Sequence, residues 1–97
     1  MPKPVYTPLS AEQLQDSLDQ LDEMLLDLVR SPAPAAALTL EHLAGVRTYL
    51  IDGMRQELAL NIDLTEESLT ALPDPRLKAR IQAFLKSVRA ADQPRPA

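Results

Sequence analysis

The sequence predicts an all-α protein: a small helical bundle with a long antiparallel helix hairpin, a short helix and a C-terminal helix. Three observations carry this. Strong helix formers (Leu, Ala, Glu, Gln and Arg) dominate the 97 residues. Apolar residues recur at helical spacing, and strand-like alternation is hard to find. All nine prolines fall at or beyond the ends of the periodic stretches. Proline lacks an amide hydrogen and clashes with the preceding turn, so helices stop before it or start at it.

Pro2, Pro4 and Pro8 make residues 1–9 an extended arm. The first helix is expected over about 11–30. Ser10 can cap it, and Gln13 stands three residues on, the spacing of a capping box. Leu14, Leu18, Leu21, Leu25 and Leu28 then form a stripe of period 3.5, widened by Met24 and Val29. These leucines are expected in the core.

Pro32 and Pro34 mark the first break. A second helix follows, starting at Thr39 or earlier at Pro34, and reaching Leu60 or Asn61. Leu40, Leu43, Ala44, Val46, Leu50, Ile51, Met54, Leu58 and Leu60 cover more than half of its circumference, as in a helix at the centre of a bundle. Gly45 and Gly53 share a face and suggest close approach of another helix. A turn at Asp52-Gly53 is the alternative. Continuity is favoured, because Met54 to Leu60 resumes the helical pattern.

A short helix should follow from Asp63 or Thr65 to Leu72, with Leu64, Leu69 and Leu72 on one side. The last helix has Asp74 as its cap and Pro75 in first position. Leu77, Ile81, Phe84, Leu85 and Val88 give it an apolar side. One helical domain is thus expected over 10–91, with a disordered tail over 92–97.

Charge is unevenly spread. The first helix carries Glu12, Asp16, Asp19, Asp22, Glu23 and Asp27, with no base before Arg30. The last carries Arg76, Lys78, Arg80, Lys86 and Arg89, with no acid before Asp92. These sets are solvated faces, attracting rims of neighbouring helices, or a surface for an oppositely charged partner. The candidate partner-binding residues are Asp16, Asp19, Asp22, Glu23, Asp27, Arg76 and Arg80.

The formal net charge of -4 argues against generic binding to nucleic acid or anionic lipid. No apolar run approaches the ~20 residues that span a bilayer, so no membrane partner is expected. Cysteine is absent, which excludes disulfides and thiolate metal sites and is compatible with a cytoplasmic location. The N-terminus has no apolar segment of the kind found in secretory signals.

Chemistry is not expected. His42 is the only histidine, and adjacent Glu41 points about 100° away on a helix. It is expected on the surface, in the first turn of the second helix. No metal, nucleotide or other cofactor is predicted. The chain shares its size and acidity with small helical proteins that act by binding another protein: anti-activators, immunity proteins, secretion chaperones and phage-encoded inhibitors.

The expected function is therefore a non-enzymatic protein-protein interaction module, a small acidic regulator or inhibitor. A homodimer is expected to cover the surplus apolar surface of the second helix. The alternative is a nucleic-acid-associated regulator that uses the basic last helix of a dimer.

Overall fold

The computed structural model describes residues 10–92, with side chains through Ala90; the expected arm over 1–9 and the tail beyond Asp92 lie outside the described residues. Four helices follow one another: α1 (Ala11–Arg30), α2 (Pro34–Asp52), α3 (Arg55–Leu69) and α4 (Pro75–Asp92). The described residues contain no strand. Each helix touches the next, and α1 touches α4, so the four form a closed ring. Short links reverse the chain each time, giving an up-down-up-down bundle.

The start of α1 follows from its capping box. Ser10 Oγ accepts the Gln13 amide at 3.2 Å, and Gln13 Oε1 accepts the Ser10 amide at 3.0 Å. Orphan amides of the first turn are thereby satisfied. Leu21, Met24 and Leu28 are buried, and Leu14, Leu18 and Leu25 pack against the same core. Val29 departs from the expected stripe and is 63% exposed. It lies about 100° round from Leu28, enough to leave the buried side.

The second helix starts at Pro34, in the first helical position, rather than at Thr39. Thr39 is fully buried, and its hydroxyl lies 2.9 Å from the Ala35 carbonyl. The expected continuity through Gly53 is not found. Gly53 takes φ 68°, ψ 27°, and ends α2 in the left-handed region. The Met54 amide returns to the Tyr49 carbonyl at 3.0 Å. A residue without Cβ adopts this conformation at little cost. The periodic pattern beyond it belongs to a separate helix running the other way.

That helix, α3, takes in the start of the short element expected from Asp63 or Thr65 to Leu72, but ends at Leu69, with Leu72 buried beyond it. Leu58, Ile62, Thr65, Ser68 and Leu69 form its buried side. α4 begins as expected: Asp74 Oδ1 accepts the amides of Arg76 at 3.0 Å and Leu77 at 3.2 Å. It extends through Asp92, one residue past the expected boundary. Leu77, Ile81, Phe84, Leu85 and Val88 are all buried. Burying each such large side chain contributes roughly 1.5–3 kcal/mol. The shared leucine-rich core is therefore what holds the ring.

The split at Gly53 changes how the apolar surface of residues 34–60 is used. Ala36, Leu43, Val46 and Leu50 of α2 and Leu58 of α3 meet in one core. α2 is flanked by α1 on one side and α3 on the other. Much of the surface that suggested a dimer is covered within the chain.

Candidate interaction surface

The charged rims of α1 and α4 meet within one chain. Arg80 Nη2 lies 2.6 Å from Glu23 Oε2, and Arg80 Nη1 lies 3.1 Å from Asp27 Oδ2. Asp22 is held from the other flank by Arg47 Nε of α2 at 2.8 Å. Arg89 joins α4 to α3 through Asp63 at 2.5 Å and Glu66 at 3.3 Å. Each arginine thus spans the junction between two neighbouring helices. All three are partly exposed, so they fix orientation more than they add stability.

Of the candidate partner-binding residues, Asp22, Glu23, Asp27 and Arg80 are engaged in these links. Asp19 accepts the Gln15 side-chain amide one turn back at 3.0 Å. Asp16 is exposed on the outer half of α1. Arg76 is exposed at the start of α4 and joins Asp27 and Arg80 in lining an open hollow of about 590 Å³. Arg30 and Asp74 also line it. Its guanidinium groups are thus interleaved with carboxylates, which leaves it mixed in charge rather than strongly cationic.

The junction between α2 and α3 is built differently. Small residues let the helices come close. A Cβ added to Gly45 would lie 2.9 Å from Asn61 Cγ and closer still to Oδ1, so only glycine fits while Asn61 holds its place. Asn61 Nδ2 is tied to the Glu57 carbonyl at 2.8 Å. Nearly two turns further, the buried hydroxyls of Thr39 and Ser68 share a hydrogen bond of 2.8 Å. Ser68 Oγ also lies 2.7 Å from the Thr65 carbonyl; each hydroxyl has one proton, so one of the pair donates to its own helix's carbonyl and the other donates across the junction. This network satisfies polar groups that would otherwise be costly to bury.

The outer side of this junction is an apolar furrow. Ala35, Leu38, His42, Gly45 and Tyr49 follow at steps of three and four along α2, and so share one face. Leu60 and Leu64 stand one turn apart on α3. Leu38 is 49% exposed and Leu60 57% exposed. His42, Tyr49 and Leu64 are half-buried. Towards Pro34 the furrow opens into a cleft of about 590 Å³, lined by Leu38, His42, Leu64 and Glu67 among others. His42 is therefore not on an isolated surface in the first turn but on the wall of this cleft, where α3 partly covers it.

Acids border the furrow. At helical spacing Glu41 and Asp52 fall on its α2 bank, and Glu57 and Glu67 on its α3 bank. Arg47 turns away to α1, and Asp63 and Glu66 turn to α4. Arg55 falls on the far side of α3 from Leu64.

The sequence stripes pointed to core packing and to charge, not to this face. By periodicity alone, His42 and Leu60 fall in the second helix and Leu64 in the short one. Their grouping depends on the reversal at Gly53. Among the described residues, no three His, Asp or Glu side chains are grouped as a metal site would need, and no helix is long and apolar enough to cross a membrane. No protein family, curated protein or solved structure matches the chain.

Proposed function

We propose that the protein is a non-enzymatic interaction module, a small acidic regulator or inhibitor that acts by occupying a surface on a target protein. The outer face of α2 and α3 is its binding surface. One observation carries this reading. After the ring has closed, Leu38 and Leu60 stay about half exposed, beside half-buried His42, Tyr49 and Leu64. An apolar centre with a polar border is the usual anatomy of a protein interface, and exposed apolar patches on small proteins mark such sites.

The basic-helix alternative has less support. Arg80 and Arg89, two of the five bases on α4, are already paired with acids of neighbouring helices. Phosphate groups would have to compete for them. A homodimer remains a competing use of the α2/α3 face, and a cytoplasmic setting fits the absence of cysteine.

A photo-crosslinking side chain placed at position 38 or 60, and at position 16 as a control, tests the proposal in cells of the source. The expected result is one crosslinked target shared by positions 38 and 60, with the position-60 crosslink lost in a Leu38→Asp background, and none from position 16. Leu38→Asp should leave helix content and unfolding midpoint nearly unchanged, because a surface change shifts stability by only about 0.5 kcal/mol. Crosslinks only from position 16 would overturn the assignment.

A further inference from the structure

We infer that the partner presents to the α2/α3 furrow an amphipathic helix with an apolar stripe and basic flanks. This rests on the proposal that the furrow is the binding face.

The shape of the furrow points to a helix. It lies between two antiparallel helices, so a third can settle there by ordinary ridge-and-groove packing. Ala35 keeps its floor low near one end, and near the middle Gly45 lets Asn61 pack flat against α2. From Ala35 to Tyr49 is about 21 Å along the axis at 1.5 Å per residue. A partner helix of roughly 14 residues would span it. Leu38 and Leu64 flank the deeper end. Leu60 continues the apolar surface towards the other, where Tyr49 is half-buried against the core. An incoming helix with apolar residues at i, i+3, i+4 and i+7 would meet these leucines.

Charge selects its flanks. Glu41 and Asp52 border one bank, and Glu57 and Glu67 the other. An acidic helix would meet like charge on both sides, which opposes docking, whereas lysines or arginines would meet carboxylates. Among the described residues, a second copy of this chain offers no such helix. α4 is its basic element, but Leu77, Ile81, Phe84, Leu85 and Val88 are buried in its own core. α1 has exposed apolar residues in Leu26 and Val29, but its flanks are acidic.

The test uses the full chain and two synthetic 18-residue peptides with one leucine pattern, flanked in one by lysine and in the other by glutamate. Residue-resolved amide shifts should move at Leu38, His42, Tyr49, Leu60 and Leu64 with the lysine peptide only. Glu41→Gln with Glu67→Gln should weaken that binding about tenfold, equivalent to about 1.4 kcal/mol, and added salt should weaken it further. Equal binding of the glutamate peptide in the furrow would overturn the basic-flank inference and leave the face intact as a binding site. Shifts absent from the furrow with both peptides would overturn the inference and the face together. A dimer by light scattering that Leu38→Asp converts to monomer would assign the furrow to a second copy instead.

Discussion

Arg80 and Asp27 stand 53 residues apart in the chain, yet their side chains meet at 3.1 Å, with Glu23 completing the contact at 2.6 Å. This is where the first and last helices close the ring. Arg80→Ala should lower stability by less than about 1 kcal/mol at low salt, because the groups are partly exposed and screened. A double-mutant cycle with Asp27→Asn should give a coupling of about 0.2–1 kcal/mol that shrinks as salt rises. Denaturant unfolding at two ionic strengths checks this. A coupling unchanged by salt would show that the contact is not ionic in origin.

Gly53 offers a test whose sign decides. In a continuous helix, Gly53→Ala would stabilise by about 1 kcal/mol, the ordinary preference for alanine. With φ at 68°, the same change forces a Cβ into the left-handed region. The expected result is destabilisation by roughly 1–2 kcal/mol. The unfolding midpoint distinguishes the two outcomes directly.

Gly45 behaves differently, because its constraint is a neighbour rather than its own backbone. Gly45→Ala alone should destabilise, since Asn61 must swing away and release the Glu57 carbonyl. Removing that side chain as well, in Gly45→Ala with Asn61→Ala, should recover stability to within about 1 kcal/mol of the starting protein or above it. If the double variant falls by the simple sum of the two single changes, Asn61 is not the obstacle.

The buried hydroxyl pair of α2 and α3 should also respond in a specific way. Thr39→Val keeps the shape and leaves Ser68 bonded to the Thr65 carbonyl. The expected cost is about 1 kcal/mol, the net value of one hydrogen bond. Thr39→Val with Ser68→Ala should cost less than the sum of the two single changes, because neither partner is then left behind. Thermal or urea unfolding of the three variants measures it.

Much of this fold was legible from local rules. The capping box of Ser10 and Gln13, the Asp74-Pro75 start and the core leucines of α1 and α4 all stand where spacing placed them. Such signals depend on neighbours in the chain, so sequence carries them. Two features were not legible. The reversal at Gly53 was masked because α3 resumes a helical pattern within two residues of the end of α2. The face of Leu38, His42, Tyr49, Leu60 and Leu64 exists only once that reversal pairs the two helices. Half of the charge puzzle resolved itself: Asp22, Glu23 and Asp27 are partnered within the chain, while Asp16 lies on the outer half of α1.

The closed ring also bears on the order in which the chain assembles. Arg47 meets Asp22 across 25 residues, Arg89 meets Asp63 across 26, and Thr39 meets Ser68 across 29. Arg80 meets Asp27 across 53. Closing short loops costs less chain entropy than closing long ones. Hairpins between consecutive helices can therefore form before the terminal helices find each other. Variants at Thr39 or Gly45 should then act mainly on the refolding rate, and Arg80→Ala mainly on the unfolding rate. In stopped-flow measurements, the last junction to form would be the first to give way.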